Sequence, residues 1–212
     1  MLMDNSTRVL PLFPAPLYVS KIKGLTKEKD FLIKQDYEGM DPQNGKISKD
    51  RRILNNKKVA VLRKKIKEHL NYYTQEILKI NSKLEFYIAN SWCIRHDYND
   101  WAHKHYHPHA FISGCFYLKT PPGSGGIIFH KPYAPINLLS PVISFSHAEY
   151  NIYNSTQWII PATENLLCLF PASLEHSVEV NNSQESRHCL AFNCNMKGAI
   201  GSSRHNDETK YD

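Results

Sequence analysis

Four histidines alternate with other residues over a short stretch of the chain and have the chemistry to bind a metal ion. They are His103, His105, His107 and His109, and a fifth, His176, lies in a separate segment far downstream. Imidazole is the commonest protein ligand for iron, zinc and copper, and residues i and i+2 of a strand project to the same side. The spacing therefore predicts a metal ion held inside a β-barrel.

The four alternating histidines cannot all bind one ion together with His176, because an extended chain rises about 3.3 Å per residue. We favour His105 and His107, since Pro108 follows directly and fixes the turn into the next strand. The two outer histidines would then lie beside the ligands or in the pocket. A histidine-rich surface tract is the alternative interpretation of the whole stretch.

A second segment places His176 directly after an apolar strand at residues 166–170 and a Pro-Ala-Ser turn, which can aim its ring into a barrel mouth. Arg187 follows eleven residues later and opens another apolar strand at 188–193. A guanidinium binds a carboxylate through two parallel hydrogen bonds. Arg187 alone would be read as a solvated surface charge, but together with His176 it indicates an anion site beside a metal ion.

The composition is that of one globular domain, with 212 residues, 42% hydrophobic and 22% charged. Five cysteines without paired spacing predict buried thiols rather than disulfides or a thiolate zinc site. We expect a cytoplasmic protein, because no apolar run approaches the ~20 residues of a membrane span and no signal peptide is evident. The net charge of +6 is concentrated at residues 46–67 without interleaved aromatic residues, which favours a solvated face over a nucleic-acid site.

The pattern of elements changes near residue 84. Residues 1–83 form a predicted lead-in with helices at 26–37 and 57–80, separated by a polar loop at 39–56 and preceded by an edge strand at 17–19. Residues 84–196 form a predicted strand-rich core, and residues 197–212 a disordered tail. The predicted core strands are 86–94, 110–118, 126–129, 142–145, 156–160, 166–170, 176–180 and 188–193. Many short strands after a helical lead-in indicate a jelly roll (double-stranded β-helix) with helices packed on the outside of one sheet.

Taken together, these motifs resemble the Fe(II)- and 2-oxoglutarate-dependent oxygenases, in particular a group of small oxygenases of bacteria and bacteriophages. The resemblance covers about residues 91–195. It is carried by Ser-Trp at 91–92, His-Tyr-His-Pro at 105–108, Ser-Gly-Cys-Phe-Tyr-Leu at 113–118, Gly-Gly-x-x-Phe at 125–129, Phe-Pro-Ala-Ser-Leu-Glu-His-Ser-Val at 170–178, Arg187 and Phe-Asn at 192–193.

The resemblance implies an enzyme in which His105 and His176 bind Fe(II), Arg187 binds the distal carboxylate of the co-substrate 2-oxoglutarate and Tyr117 hydrogen-bonds the same group. With dioxygen, such enzymes couple oxidative decarboxylation of 2-oxoglutarate to oxidation of a substrate C–H bond, typically a hydroxylation. The primary substrate stays open among peptides, small molecules and nucleic acids. The oligomeric state is also open, and a homodimer is compatible with the fold.

Two positions depart from the family pattern. His107 stands where the family has a carboxylate, so a three-histidine site and a two-histidine site with water both remain open, and Asp97 and Asp100 have the wrong spacing to replace it. Cys189 stands where many relatives have a serine. Two alternative functions follow: a cupin-like three-histidine dioxygenase or isomerase that does not use 2-oxoglutarate, and a non-catalytic jelly-roll binding or structural module.

Overall fold

The computed structural model describes residues 8–41, 45–132, 146–201 and 208–211. The predicted strand at 142–145 lies outside these residues. Among them, no helix has both the length and the apolar character needed to cross a membrane.

Two antiparallel sheets form a double-stranded β-helix, as predicted. The twelve strands are β1 (Tyr18–Lys21), β2 (Tyr37–Asp41), β3 (Gly45–Ser48), β4 (Glu85–His96), β5 (Ala102–His105), β6 (Ile112–Lys119), β7 (Gly126–His130), β8 (Gln157–Pro161), β9 (Leu166–Pro171), β10 (His176–Val178), β11 (Arg187–Ile200) and β12 (Thr209–Tyr211). The larger sheet has the order β1-β9-β6-β11-β4-β3-β2, with β12 paired to β11, and the smaller sheet has the order β5-β10-β7-β8. The predicted edge strand near residue 18 is confirmed as β1.

Strand β6 is buried on both faces because it lies between two apolar layers. Phe116 and Leu118 join a cluster with the helices, whereas Cys115 and Tyr117 point into the space between the sheets. Side chains alternate along a strand, so a central strand covered on both sides must be apolar throughout. This arrangement directs Tyr117 toward the interior of the barrel.

The predicted amphipathic helix covers the outer face of the larger sheet. It comprises a 3₁₀ turn (Lys57–Val59), α2 (Ala60–Tyr72) and a π-helical turn (Tyr73–Ile77). Its apolar stripe is buried up to Tyr73, but Ile77 is 47% exposed. The wider π turn shifts the helical phase, so that Leu78 and Ile80 pack against the core instead.

Three predicted boundaries are wrong. The first helix ends at Ile33 (α1, Thr26–Ile33), and the polar stretch at 39–56 is not a loop. It supplies the end of β2, all of β3 and a 3₁₀ turn (Ile53–Asn55), because the long strand β4 provides an edge on which β3 pairs through Lys46 and Ile47. The described part of the tail is ordered as well, since β11 continues to Ile200 and β12 pairs with its end.

Candidate active site

A cavity of ≈ 290 Å³ lies between the two sheets. Its walls come mainly from β4, β6 and β11 of the larger sheet and from β5, β7 and β10 of the smaller one. All five residues singled out in the sequence line it, namely His105, His107, His176, Arg187 and Tyr117. The rest of the lining is mostly apolar. The fold thus collects these residues from segments up to 82 positions apart in one space.

Three imidazoles meet at one end of the cavity. His105 on β5 pairs directly with His176 on β10, and their ring centroids are 4.4 Å apart. The ring of His107 lies 5.3 Å from that of His105 and 5.2 Å from that of His176. One nitrogen from each ring lies within 4.8 Å of the others. Two nitrogens bound to one ion through bonds of ~2.1 Å are at most about 4.2 Å apart, so little movement would bring all three onto an ion.

Backbone carbonyl groups fix the tautomers of two of these rings. His105 Nδ1 lies 2.8 Å from the carbonyl oxygen of His103, and His176 Nδ1 lies 2.9 Å from that of Leu174. A carbonyl oxygen only accepts, so each Nδ1 carries the proton and each Nε2 keeps its lone pair. This is the arrangement by which outer partners orient a metal-binding histidine.

Burial keeps two of the imidazoles neutral. It lowers the pKa of His176 to about 3, with the neighbouring histidines adding to the effect, and lowers the pKa of His107 to about 4, assisted by His105. A neutral imidazole is the form that binds a metal ion. At neutral pH both rings therefore have lone pairs available.

His107 does not project into the cavity from a strand, as the predicted alternation of side chains implied. Strand β5 ends at His105, and the backbone N–H of His107 donates to the carbonyl oxygen of Ala172 at 2.9 Å. The turn that follows β5 therefore places its ring. His103 also lines the cavity, whereas His109 is exposed and does not line it.

Arg187 lies in the same cavity and is only 1% exposed. One Nη1 hydrogen is donated to the carbonyl oxygen of Ser124, and Nη2 contacts His96 Nδ1 at 3.0 Å and the carbonyl oxygen of Glu179 at 3.4 Å. Burial lowers the pKa of Arg187, but a guanidinium stays charged in proteins. No carboxylate of the described residues forms an ion pair with it. A buried cation of this kind is suited to an incoming anion.

Tyr117, Cys115 and Cys189 line the cavity together with Arg187. Burial raises the pKa of Tyr117, so its hydroxyl group keeps its proton and can donate it in a hydrogen bond. Cys189 pairs with Tyr117 across β11 and β6, and Cys115 pairs with Cys168 across β6 and β9. Cys115 contacts both other sulfurs, and we call these three residues the thiol cluster. All three are free cysteines; Cys115 and Cys168 are buried, as predicted, and Cys189 is half-buried.

The nearest carboxylates take no part in the imidazole group. Asp97 accepts from Lys46 and Arg95 in ion pairs of 2.9 and 2.7 Å, and Asp100 accepts from the backbone N–H of Asp97. Within the described ranges, the cluster of metal-binding groups consists of His105, His107 and His176 alone.

His96 is the residue that sequence reasoning missed. Nothing in the local sequence distinguished it from the other histidines, and no role was predicted for it. It lies at the end of β4 opposite Arg187 on β11, lines the cavity and contacts the guanidinium. Only the register between β4 and β11 would have revealed it.

Several solved structures share this fold. An oxidoreductase of the 2OG-Fe(II) oxygenase family from Burkholderia pseudomallei is 10% identical, with a TM-score of 0.55 over 80% of this chain and 76% of that chain. HygX from Streptomyces hygroscopicus, solved with nickel and 2-oxoglutarate bound, is 12% identical, with a TM-score of 0.56 over 85% and 82%. A prolyl-4-hydroxylase from Pseudomonas putida is 10% identical, with a TM-score of 0.53 over 84% and 92%. At such low identities the likeness shows the shared fold.

No curated protein matches the sequence. A family model does match it, under the description "Putative 2OG-Fe(II) oxygenase", over residues 90–193. This range contains the three clustered histidines, Tyr117, Arg187 and His96. This part of the chain is similar in sequence to the 2OG-Fe(II) oxygenases, and the solved structures above share its fold.

Proposed function

We propose that this protein is an Fe(II)- and 2-oxoglutarate-dependent dioxygenase that hydroxylates a substrate still to be identified. One observation carries the proposal: three clustered imidazoles and a buried guanidinium with no ion-pair partner among the described residues open into the same cavity. The first group suits a divalent metal ion and the second suits a carboxylate. An enzyme that uses 2-oxoglutarate requires both at once.

His105, His107 and His176 would hold the iron. The donor set fits, because the carbonyl groups of His103 and Leu174 already direct two Nε2 lone pairs away from the backbone. When bound, Fe(II) supplies the activation of dioxygen. The overall reaction converts 2-oxoglutarate, dioxygen and a substrate C–H group to succinate, carbon dioxide and the hydroxylated product.

Arg187 would bind the distal carboxylate of 2-oxoglutarate, and the Tyr117 hydroxyl group would donate to the same carboxylate. Arg187 has five N–H groups, and its three hydrogen bonds leave two for a ligand. Binding an anion there offsets the cost of burying an uncompensated charge. The mostly apolar remaining walls would exclude water from the reacting groups.

A cupin-like three-histidine dioxygenase without 2-oxoglutarate is the second candidate. The absence of a carboxylate from the described imidazole cluster favours it. The buried guanidinium favours the first proposal, because a reaction that does not use 2-oxoglutarate gives Arg187 no carboxylate to bind.

Succinate formation separates the candidates. Protein reconstituted anaerobically with Fe(II) and then exposed to dioxygen and 2-oxoglutarate should release succinate, even slowly and without a primary substrate. Arg187→Ala should lose at least about tenfold in kcat/KM for 2-oxoglutarate, because a charge-assisted hydrogen bond is worth ~1.5–3 kcal/mol. His109→Ala, outside the cavity, is the matched control. If the wild type binds metal but forms no succinate, the second candidate is correct, and if it binds no metal, the non-catalytic alternative is.

A further inference from the structure

The orientation of Arg187 depends on neutral acceptors. Two are the carbonyl oxygens of Ser124 and Glu179, and the third is the imidazole of His96. Among the described residues, His96 is therefore the side chain that accepts a hydrogen bond from this guanidinium. A guanidinium cannot accept a hydrogen bond, so His96 Nδ1 must carry the lone pair and its proton must lie on Nε2.

His96 is held in place from both sides. Its backbone pairs with that of Arg187 across β4 and β11, and its carbonyl oxygen accepts from Asn181 Nδ2 at 2.9 Å. On the other side lies Gly45 of β3, where an added Cβ atom would lie 2.7 Å from His96 Cδ2. Gly45 also has a φ of 75°, a conformation that glycine adopts without strain. The ring, 3% exposed, is thus wedged between the hairpin of β2 and β3 and the guanidinium.

The charge of this acceptor matters, because it decides whether the positive charge of Arg187 remains available to a ligand. An Asp or Glu here would bind Arg187 more strongly, but it would also cancel the positive charge that a carboxylate ligand needs. A neutral imidazole fixes the guanidinium and leaves its charge in place. Without such an acceptor, one of the buried N–H groups of Arg187 would lose its hydrogen bond.

We propose that His96 is a positioning residue for 2-oxoglutarate, orienting the guanidinium of Arg187 through a neutral acceptor that leaves the positive charge for the co-substrate. The inference rests on the proposed function, since it assumes that Arg187 binds the distal carboxylate. It assigns to His96 an effect on co-substrate affinity and none on metal binding.

Three substitutions of the same residue separate position from charge. The oxygen of Asn can occupy the place of Nδ1, so His96→Asn should bind 2-oxoglutarate within about threefold of the wild type. His96→Gln places its amide near Nε2 instead and should weaken binding about 10- to 100-fold, the range of one lost hydrogen bond to a charged group. His96→Asp has the shape of Asn but a negative charge, and it should also weaken binding at least about tenfold.

Calorimetric titration of the Ni(II)-loaded protein with 2-oxoglutarate measures these affinities, and titration of the apoprotein with Ni(II) should give the same affinity for every variant. At saturating 2-oxoglutarate, kcat of the Fe(II) enzyme should change less than KM. If wild type, His96→Gln and His96→Asp bind 2-oxoglutarate equally well and Arg187→Ala does not bind it, the role proposed for His96 is contradicted. The proposed function is not affected by that result. A wild type that binds no 2-oxoglutarate would overturn the proposed function as well. Should the variants not fold, ¹⁵N NMR of the wild type decides, because a proton on His96 Nδ1 contradicts the proposal.

Discussion

His107 occupies the position at which the common two-histidine, one-carboxylate ligand set has an Asp or Glu. Three neutral imidazoles leave a divalent ion with its full double charge, whereas a carboxylate would reduce it by one. Arg187 adds a further positive charge in the same cavity. A dianionic co-substrate such as 2-oxoglutarate would therefore be attracted more strongly here than in a site with a carboxylate ligand.

Removing one imidazole tests whether all three bind the ion. We expect His107→Ala to weaken Ni(II) binding at least about tenfold, and His107→Asp to retain it because a carboxylate also binds divalent ions. Calorimetric titration of the apoprotein measures both. His109→Ala is the control, since that side chain is exposed and lies outside the cavity. Unchanged affinity in His107→Ala would indicate a two-histidine site.

At this scale the sequence predicted the residues with distinctive chemistry. His105, His107, His176 and Arg187 could be selected from their types and spacing, whereas Tyr117 was implied only by the resemblance to the family. His96 could not, because its importance comes from standing opposite Arg187 across two strands that are 91 positions apart in the chain. Local sequence carries no information about such a register.

Among the elements, strand β6 is the most tightly enclosed. Gly114 at its centre has no room for a side chain, since a Cβ atom there would lie 2.6 Å from Phe192 Cε2 and 2.8 Å from Leu169 Cδ2. Gly114→Ala should therefore lower the free energy of unfolding by about 1–3 kcal/mol through overpacking. Gly39→Ala, at an exposed position of β2 with open space around it, should change it by less than about 0.5 kcal/mol. Urea unfolding of the two variants measures the difference. Equal stability of the two would show that the neighbours of Gly114 can move to accommodate a methyl group.

Strand β11 also carries a buried titratable group. His188 lies beneath Tyr37, and burial, reinforced by Arg95 and Lys119, lowers its pKa to about 4. An unfolded chain has a histidine pKa near 6.5, so between pH 6.5 and 4 the unfolded state binds a proton that the native state does not. Stability should therefore fall as the pH falls through this window, by at most about 3 kcal/mol from this group.

The variant His188→Asn keeps an acceptor near the Tyr37 hydroxyl group but cannot titrate. The difference in unfolding free energy between wild type and variant, measured in urea at pH 7 and at pH 4, isolates the contribution of His188. We expect the wild type to lose more stability than the variant. If the unfolding free energies of wild type and variant fall equally between pH 7 and pH 4, the pKa of His188 is not lowered in the native protein.

The core strands could be predicted because their apolar runs are bounded by turn residues, and all but the one at 142–145 lie within the described residues. The hairpin of β2 and β3 could not, because its residues are mostly polar. It forms because β4, twelve residues long, pairs with β11 along one edge and leaves part of its other edge free for β3. The same reason applies to β12, which pairs with the overhanging end of β11.

Over the whole molecule, the two halves of the site belong to different sheets. His105 and His176 lie on β5 and β10 of the smaller sheet, whereas Tyr117 and Arg187 lie on β6 and β11 of the larger one. A metal ion with 2-oxoglutarate would therefore connect the sheets across the cavity. A ligand that binds only the native state stabilises it by RT ln(1 + [L]/Kd), where [L] is the free ligand concentration.

Ligand addition should raise the melting temperature in two steps. With each ligand at about 100 times its Kd, each should contribute ~2.7 kcal/mol, or about 5 to 10 °C for a chain of this size. Differential scanning fluorimetry with Ni(II), then Ni(II) plus 2-oxoglutarate, measures both steps. Arg187→Ala should keep the first and lose the second. Loss of both steps in this variant would contradict the separation of the two binding groups.

The thiol cluster has a consequence for metal selection. Sulfur binds a metal ion as thiolate, but hydrogen bonds with Cys168 and Cys189, together with burial, raise the pKa of Cys115. That sulfur therefore keeps its proton at neutral pH, while His107 and His176 in the same cavity are neutral and have lone pairs available. A divalent cation entering the barrel therefore finds lone pairs on these imidazoles and a protonated sulfur on Cys115. Binding of a thiophilic ion such as copper(I) by Cys115 would be weakened, because the thiol would have to lose its proton first.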